Sequence, residues 1–329
     1  MCDGIAVAGN IICDIIKTVD AYPPCGTLAD IKRVSKSVGG CVPNTAINLA
    51  KLGDVKVKAL GAVGDDAEGQ FVIDELKTAG VCVGGIIVRS EHTSFTDVMS
   101  VEGGERTFFH MRGVNAVFGP DDIDLDALNC KILHVGYHML LDKFDAADAK
   151  HGTVMAGFLK EVQKKGIKTS IDVVSQSGGD FRRTVLPGIK YCDYVIINEL
   201  EAGQIVGIEP RDKADKLLVN NIKKILEELI KCGVREKAII HCPEGGFCLC
   251  RKAGYNFVPS LKLPKGYVVG KVGAGDAFCA GALYGIYKCF DDAVMLDSAN
   301  RVAARNLAFC DSVLGACSLE DALKATENL

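Results

Sequence analysis

The sequence contains no tryptophan, no run of basic residues and no long apolar stretch. A nucleic-acid-binding surface needs a dense cationic face, whereas 42 Asp and Glu outnumber 38 Lys and Arg here, so we expect no nucleic acid partner. A membrane-spanning helix needs about 20 apolar residues in succession, and the N-terminal segment MCDGIAVAGNIICDII has neither a basic region nor a small-residue cleavage site. We therefore expect no membrane partner and a cytoplasmic location.

The cysteines show no ordered arrangement either. There are 15 of them, scattered from Cys2 to Cys317 without a C-x-x-C pair. A secreted disulfide framework is short and has an even number of cysteines, and no group of His and Cys has the sequence spacing of metal ligands. We expect reduced, mostly buried thiols that behave as small hydrophobic groups.

What the 329 residues do contain is an alternation of short apolar runs with segments of helical periodicity. The apolar runs predict strands at residues 5–8, 57–60, 132–135, 169–172, 194–197 and 238–240. The helical periodicity predicts helices at residues 44–52, 71–79, 154–164, 215–232, 277–288 and 291–309. This alternation is typical of an α/β fold with a mainly parallel sheet covered on both faces, and we expect a single domain over residues 1–329.

Two regions, residues 14–36 and 88–112, interrupt this alternation. They contain short segments with alternating apolar residues, and Gly103-Gly104 between two of these segments is typical of a hairpin turn. We therefore expect a small antiparallel β-sheet that projects from the main domain as a lid. Its apolar residues, such as Phe108, favour pairing with a second copy, so a homodimer through the lid is expected.

A glycine-rich segment late in the chain, residues 273–276, comes directly before an apolar helix. Gly273 and Gly275 flank Ala274, and glycines allow backbone amides to surround an anion at the positive end of a helix. A transferring phosphoryl group is an anion of this kind. Asp276, in the first turn, is suited to accept a proton from an attacking hydroxyl. The alternative is that Asp276 only caps the helix.

A second glycine segment precedes an earlier apolar helix, where Gly39 and Gly40 are followed by Asn44. Gly-Gly-x-x-x-Asn at this place, together with Gly-Ala-Gly-Asp late in the chain, resembles the two signatures of the ribokinase-like (PfkB) carbohydrate kinases. The resemblance extends from about residue 7 to residue 316. It implies a ribokinase-like three-layer sandwich with a small β lid and an ATP-dependent transfer of phosphoryl to a hydroxyl. Asp276 would then be the base, with the amides of residues 273–275 stabilising the transferring group.

The resemblance also implies how the acceptor, a sugar or sugar-like molecule, is bound. Asp14 would contact its hydroxyls, and Gly39, Gly40 and Asn44 would complete that side of the site. The alternative for Asp14 is a solvated loop residue.

Two further segments are expected near the acceptor. Residues 136–138 follow a predicted strand and should enter the acceptor pocket, although the sequence does not indicate which side chain points inward. Arg112, or Arg106, would reach an anionic group of the substrate or a phosphate, and the alternative is a solvated strand face.

On the nucleotide side, Asn198 and Glu201 resemble an N-x-x-E motif that organises hydrated Mg²⁺ and the phosphates of ATP, with Glu201 holding the metal through water. A hard cation takes oxygen ligands, and the carboxyl end of a strand is where α/β sheets bind ligands. The alternative is a carboxylate stabilised by the helix dipole. Asn300 resembles an Asn beside the adenine pocket, with an exposed helix position as the alternative.

The chain departs from the family pattern twice, both times on the nucleotide side. Gly270 and Lys271 replace an Asp and a Thr that help to hold an activating monovalent cation, which weakens the basis for activation by potassium. We hypothesise that Lys271 supplies positive charge to the phosphates instead. His241 and Pro243 replace a Thr and a Gly that commonly contact the phosphates, so those contacts are expected to be redistributed.

Two alternatives to a sugar kinase remain. A nucleoside kinase of the same fold would bind ribose through the same residues, although the aromatic content of 6% disfavours a stacked base. A non-catalytic sugar-binding protein would explain the altered residues at 241–243 and 270–271. The intact residues 273–276, with Asn198 and Glu201, favour a kinase over a binding protein, which needs no base.

Overall fold

A computed structural model describes residues 3–101, 106–175 and 178–329 of the chain. The strands are β1 (Ile5–Gly9), β2 (Ile12–Val19), β3 (Ile31–Gly39), β4 (Val57–Gly64), β5 (Cys82–Arg89), β6 (Phe95–Val101), β7 (Arg106–Met111), β8 (Ile132–His138), β9 (Ala147–Asp148), β10 (Gly152–Thr153), β11 (Lys168–Val173), β12 (Tyr194–Asn198), β13 (Lys237–Cys242), β14 (Gly245–Cys250) and β15 (Gly254–Pro259). The helices are α1 (Cys41–Leu52), α2 (Ala67–Thr78), α3 (Asp142–Asp145), α4 (Val154–Lys164), α5 (Phe181–Thr184), α6 (Leu186–Ile189), α7 (Glu199–Val206), α8 (Val219–Lys231), α9 (Ala274–Tyr287), α10 (Asp292–Leu307) and α11 (Leu319–Ala325). None of the helices in these ranges combines the length and the apolar composition that crossing a membrane requires.

The predicted mainly parallel sheet is confirmed. It has nine strands in the order β5-β4-β1-β8-β11-β12-β13-β14-β15. Every pair from β5 to β13 is parallel, and β14 and β15 add an antiparallel hairpin at one edge. The parallel strands therefore all end at the same edge of the sheet, where such sheets bind their ligands.

Both faces of the sheet are buried, as the apolar strands predict. In β1, Ile5 and Val7 belong to one hydrophobic core, while Ala6 and Ala8 belong to the other. Helices α1, α2, α9 and α10 contribute to the first core, and α4, α7 and α8 contribute to the second. Since successive side chains of a strand point to opposite faces, this alternation produces the expected three layers.

Some boundaries differ from the sequence predictions. Helix α2 begins at Ala67 because the carboxylate of Asp66 accepts a 2.8 Å hydrogen bond from the amide of Gly69 and caps the first turn. Helix α8 begins at Val219 rather than at Asp215, whose φ of 61° is not helical. The sequence analysis did not predict the hairpin formed by β14 and β15.

The predicted small sheet is confirmed as four strands in the order β3-β2-β6-β7. It consists of two antiparallel pairs, β2–β3 and β6–β7, which are joined by parallel pairing of β2 with β6. Residues 88 and 89 belong to β5 of the main sheet instead. The turn predicted at Gly103-Gly104 lies outside the described residues. We call this four-stranded sheet the lid sheet.

Candidate active site

The carboxyl ends of the parallel strands and the N-terminus of α9 enclose a cavity of about 250 Å³, which we call the polar cavity. Its lining consists of Tyr137, Asp172, Val173, Val174, Ser175, Ile196, Asn198, Glu201, His241, Gly273, Gly275, Asp276 and Cys279. Three of these residues carry carboxylates, and no Lys or Arg is among them. The polar cavity is therefore suited to ligands that donate hydrogen bonds.

A second cavity, of about 460 Å³, adjoins the first, and we call it the apolar cavity. It is lined by Asn198, Glu199, Leu200, His241, Cys242, Pro243, Ser260, Leu261, Leu263, Val268, Lys271, Ala274, Gly275, Phe278, Asn300, Ala303, Ala304 and Leu307. Three residues, Asn198, His241 and Gly275, line both cavities. A ligand in the apolar cavity can therefore extend past Gly275 to a second ligand in the polar cavity.

The N-terminus of α9 depends on glycine at two positions. Gly273 has a φ of 76°, and a Cβ atom there would lie 2.5 Å from the Cβ of Ser312. A Cβ atom on Gly275 would lie 3.3 Å from the Cε1 of His241, at the place where the two cavities meet. The amides of a first helical turn have no partner within the helix. That of Ala274 donates a 3.4 Å hydrogen bond to the carbonyl of Lys271, while those of Gly275 and Asp276 are open to a ligand, as the sequence predicts for an anion site.

Asp276 is buried in the first turn of α9, with 6% of its surface exposed. Its Oδ2 accepts hydrogen bonds of 3.0 Å from Asn44 Nδ2 and of 3.0 Å from the Tyr137 hydroxyl. Burial, with a further contribution from the nearby charge of Asp172, raises the pKa of Asp276 to about 8. The helix is capped by Gly273 and not by Asp276, so the capping alternative is wrong. No donor in the described part of the chain reaches Oδ1.

Asn44 is held in a defined orientation between Asp276 and Ser312. The hydroxyl of Ser312 donates a 2.8 Å hydrogen bond to Asn44 Oδ1, which leaves Nδ2 for Asp276. The carbonyl of Ser312 accepts a 2.7 Å hydrogen bond from Asn306 Nδ2. The structure thus brings the two glycine segments identified in the sequence together, through a serine that sequence reasoning missed.

Asp172 is a second buried carboxylate of the polar cavity that sequence reasoning missed. Its Oδ1 accepts a 2.5 Å hydrogen bond from the backbone amide of Tyr137, and its Oδ2 lies 3.2 Å from His134 Nε2. Tyr137 has a φ of 57°, which few residues other than glycine adopt. The position of Asp172 near the end of β11 was the available signal, because the carboxyl ends of parallel strands meet at one edge.

Asn198 and Glu201 form a reciprocal pair at the start of α7. Asn198 Oδ1 accepts a 2.8 Å hydrogen bond from the Glu201 amide, and the Glu201 carboxylate accepts one of 3.0 Å from the Asn198 amide. Glu201 also accepts a 2.7 Å hydrogen bond from Ser175 Oγ, and burial raises its pKa to about 7. A buried carboxylate beside an amide oxygen fits the oxygen ligands of Mg²⁺, so these residues are able to hold the predicted ion.

Asp14 lies on β2 of the lid sheet and does not line the polar cavity. Desolvation raises its pKa to about 6. A Cβ atom on Gly39 would lie 2.5 Å from Asp14 Oδ2, and Gly40, with a φ of 84°, precedes α1. Gly39 therefore makes room for Asp14, whereas a Cβ atom on Gly40 would lie 2.6 Å from the carbonyl oxygen of Asn10.

The remaining predicted site residues, Arg112, Lys271 and Asn300, differ in whether they line a cavity. Arg112 forms an ion pair with Asp142 and lines neither cavity. Lys271 lines the apolar cavity. Asn300 lines it too and is buried, with 7% of its surface exposed, so the exposed-helix alternative is wrong. Its amide donates hydrogen bonds to the carbonyls of Val258 and Pro259 and so fixes β15.

His241 separates the two cavities. Its ring lies 5.0 Å from the ring of Phe278, and desolvation lowers its pKa to about 4. The imidazole is therefore neutral at physiological pH, and it contributes a hydrogen-bonding group but no charge where the cavities meet.

A buried carboxylate, one oxygen of which has no donor among the described residues, lies beside a glycine-rich helix N-terminus, and an apolar cavity there adjoins a polar one. This arrangement is the site of a phosphotransferase that acts on an alcohol. Residues 3–308 match the model of the pfkB family carbohydrate kinases, and the chain belongs to that family. The resemblance inferred from the two glycine segments is thereby confirmed.

Three individual relatives share between 18% and 26% sequence identity with the chain. An ATP-dependent ribose-1-phosphate kinase from Halopiger xanaduensis is 26% identical over 279 residues, which cover 83% of this chain and 81% of that protein. An Arabidopsis thaliana ribokinase, solved with ribose and ATP, superposes with a TM-score of 0.81 at 20% identity and covers 100% of both chains. A Burkholderia thailandensis nucleoside kinase, solved with inosine, has a TM-score of 0.73 at 18% identity, covering 98% of this chain and 97% of that one. The last two comparisons establish the ribokinase fold alone.

Proposed function

We propose that the chain transfers the γ-phosphoryl group of ATP to a hydroxyl of a sugar or sugar-like molecule, with Asp276 as the base. The observation that carries this proposal is the position of Asp276. Its carboxylate is fixed through Oδ2 by Asn44 and Tyr137, while Oδ1 has no donor among the described residues. Oδ1 is thus available for the proton of an acceptor hydroxyl in the polar cavity.

The electrostatics of the site support this role. A general base works best when its pKa lies near the operating pH, and burial raises the pKa of Asp276 to about 8. Charge on the transferring group would be stabilised by the amides of residues 273–275, since the positive end of α9 points to the junction of the two cavities. Asp276 takes the proton, and the helix N-terminus holds the anion.

Glu201 and Asn198 are proposed to hold Mg²⁺, with Glu201 acting through water. The bound ion would neutralise phosphate charge. The Glu201 carboxylate is already oriented by its neighbours, because two hydrogen bonds join it and its amide to Asn198 and a third comes from Ser175.

ATP is proposed to occupy the apolar cavity. The cavity is large enough for a base, at about 460 Å³, and Gly275 connects it to the polar cavity. Lys271 at its wall would meet the phosphates, and Asn300 would border the adenine by fixing the β15 backbone. This assignment leaves the polar cavity for the acceptor.

The acceptor side is proposed to consist of Asp14, Gly39, Gly40 and Asn44, with the lid sheet closing over it. These four residues do not line the polar cavity themselves, and they adjoin it where Asn44 donates its hydrogen bond to Asp276. Arg112 is proposed to contact an anionic group of the acceptor, for which it has to leave Asp142. A sugar is favoured over a nucleoside because, apart from Tyr137 and His241, no aromatic ring from the described chain lines the polar cavity.

We further propose a cytoplasmic location and a homodimer formed through the lid sheets. The dimer proposal rests on Phe108 and Phe109 of β7, which are 57% and 59% exposed. Exposed apolar side chains on a sheet are typical of protein interfaces.

The proposal is tested by measuring ADP release from Mg-ATP over a panel of sugars, sugar acids, polyols and nucleosides. We expect turnover with at least one acceptor, and its loss in Asp276→Asn but not in a surface control, Asp74→Asn. Absence of turnover with every acceptor, while one of them raises the melting temperature, would instead support the non-catalytic alternative.

A further inference from the structure

A buried group of potential metal ligands lies behind the wall of the polar cavity. It consists of His134 on β8, Asp172 on β11 and Cys279 on α9, which are 0%, 7% and 2% exposed. Their ligand atoms all lie within 4.8 Å of one another. The sequence gives no hint of the group, because the three residues come from three distant segments and have no common spacing.

Two distances within the group match those of a tetrahedral metal site. His134 Nε2 lies 3.2 Å from Asp172 Oδ2 and 3.6 Å from Cys279 Sγ. Ligands bound to Zn²⁺ at 2.0–2.3 Å in tetrahedral geometry are about 3.3–3.6 Å apart.

Other contacts orient the ligands as in known metal sites. The second ring nitrogen of His134, Nδ1, lies 3.0 Å from Ser170 Oγ. The second oxygen of Asp172 accepts the hydrogen bond from the Tyr137 amide. Metal-binding histidines and carboxylates are usually held by such outer contacts, so two of the three ligands are fixed in place without the ion.

The group has one open side. Asp172 and Cys279 line the polar cavity together with Asp276. An ion held by the three side chains would therefore keep a fourth position directed to the cavity, which is the arrangement of zinc sites that bind a water or a substrate oxygen.

We propose that His134, Asp172 and Cys279 bind one thiophilic divalent cation, of the class of Zn²⁺ or Co²⁺, at a site separate from the Mg²⁺ expected at Glu201. A thiolate and a carboxylate together balance the two charges of the ion, and the imidazole is neutral. Thiolate and imidazole ligands favour these ions over Mg²⁺, which prefers oxygen.

Binding is coupled to release of the thiol proton to solvent. Burial and the charges of Asp172 and Asp276 raise the pKa of the Cys279 thiol well above its usual value. Because the metal binds the thiolate, affinity should rise with pH. The proposal does not depend on the kinase activity, and its test needs no acceptor.

The test is titration of the metal-free, full-length chain with Co²⁺, followed by absorption spectroscopy. We expect one equivalent with the intense visible bands of tetrahedral Co²⁺ and a near-ultraviolet thiolate-to-cobalt band, both displaced by Zn²⁺. The equivalent should be lost in Cys279→Ser and in His134→Gln, and retained in Cys248→Ser, which alters a buried thiol of β14 outside the group.

Two results would overturn the proposal. One is the absence of a thiolate-to-cobalt band in the folded wild-type chain. The other is a band that persists in Cys279→Ser, which would assign it to another of the 15 cysteines. Circular dichroism checks the fold of each variant, and if Cys279→Ser does not fold, His134→Gln decides between the outcomes.

Discussion

The hydroxyl of Tyr137 donates a 3.0 Å hydrogen bond to the carboxylate of Asp276, which lies 139 residues further along the chain. The backbone amide of the same tyrosine donates to Asp172. Tyr137 thus holds two acidic groups of the polar cavity at once, and its φ of 57° allows both contacts. A donor to a carboxylate favours the charged form, so Tyr137 opposes the effect of burial on Asp276.

Replacement of Tyr137 by phenylalanine should therefore raise the pKa of Asp276 further. We expect a kcat about tenfold lower near neutral pH, since a hydrogen bond to a charged group contributes about 1.5–3 kcal/mol. We also expect the acid limb of the pH–rate profile to move to higher pH. The measurement is kcat against pH for the acceptor found in the panel.

The matched control for this variant is Tyr287→Phe, which removes a tyrosine–aspartate hydrogen bond of 2.6 Å to Asp3. Tyr287 lines neither cavity, so its loss should leave the profile in place. A Tyr137→Phe profile that coincides with the wild type would show that Tyr137 does not act on the base.

Gly273→Ala should disrupt the N-terminus of α9. Alanine at a φ of 76° is strained by about 1–2 kcal/mol, and its Cβ would also overlap Ser312 at 2.5 Å. We expect a loss of stability of at least about 2 kcal/mol and a loss of activity of more than tenfold. Urea unfolding and ADP release measure the two effects.

The variant Gly266→Ala distinguishes the effect of backbone strain from that of the overlap with Ser312. Gly266 has a φ of 83°, and its Cβ would have no neighbour within 4 Å. This variant should be destabilised only by the strained backbone, by about 1 kcal/mol, and should keep its activity. Equal losses in both variants would mean that the contact with Ser312 has no role.

Stability without ligands should fall as the pH rises. The pKa of Asp276 is about 8 in the folded chain and has its usual value of 3.8 in the unfolded chain. Between these values the folded chain binds a proton that the unfolded chain has lost, so the free energy of unfolding decreases with pH. Glu201, with a pKa of about 7, acts in the same direction.

Asp276→Asn removes the share of this effect that belongs to Asp276. We expect its Tm to exceed that of the wild type by about 3 °C or more at pH 9, and by less at pH 5. Thermal unfolding at the two pH values is the measurement. A difference that does not change with pH would contradict the raised pKa.

Lys271→Ala tests whether this lysine replaces a monovalent cation. If its charge acts on the phosphates, the KM for ATP should rise about tenfold, which corresponds to about 1.4 kcal/mol. The wild-type rate should be unchanged when choline replaces potassium. Lys265→Ala, on the exposed part of the same loop, is the control, and an unchanged KM for ATP in Lys271→Ala would refute the hypothesis.

Arg112 should matter only for acidic acceptors. Arg112→Ala is expected to raise the KM for an anionic acceptor about tenfold and to leave that for a neutral sugar unchanged. Asp142→Ala, which frees the guanidinium from its ion pair, should lower the KM for the anionic acceptor. Matched pairs such as glucose and glucuronate provide the comparison, and equal effects on both members would exclude a charge contact.

The sequence predicted the layers of the fold because the parallel strands are apolar on both faces and the helices are amphipathic. The edge hairpin of β14 and β15 was missed for a physical reason. Its outer strand, β15, is partly exposed, with Tyr255 37% and Phe257 44% exposed, so neither a continuous apolar run nor a strict alternation marks it.

The sequence identified residues that line the polar cavity where a local backbone motif accompanies them, as at Gly273 and Asp276 or at Asn198 and Glu201. It did not identify Asp172 and Ser312. Their roles come from contacts across the fold, and nothing in the neighbouring residues distinguishes them from ordinary strand and loop positions.

The hydrogen bonds that join Ser312, Asn44 and Asp276 also constrain when the site can form during synthesis. Asn44 and Asp276 are 232 residues apart, and Ser312 lies beyond both. Contacts over such sequence distances form late, because the loops between them must close first. The proposed base can reach its final environment only after Ser312 has left the ribosome, so a chain that ends before Asp276 would carry the proposed acceptor residues without the proposed base.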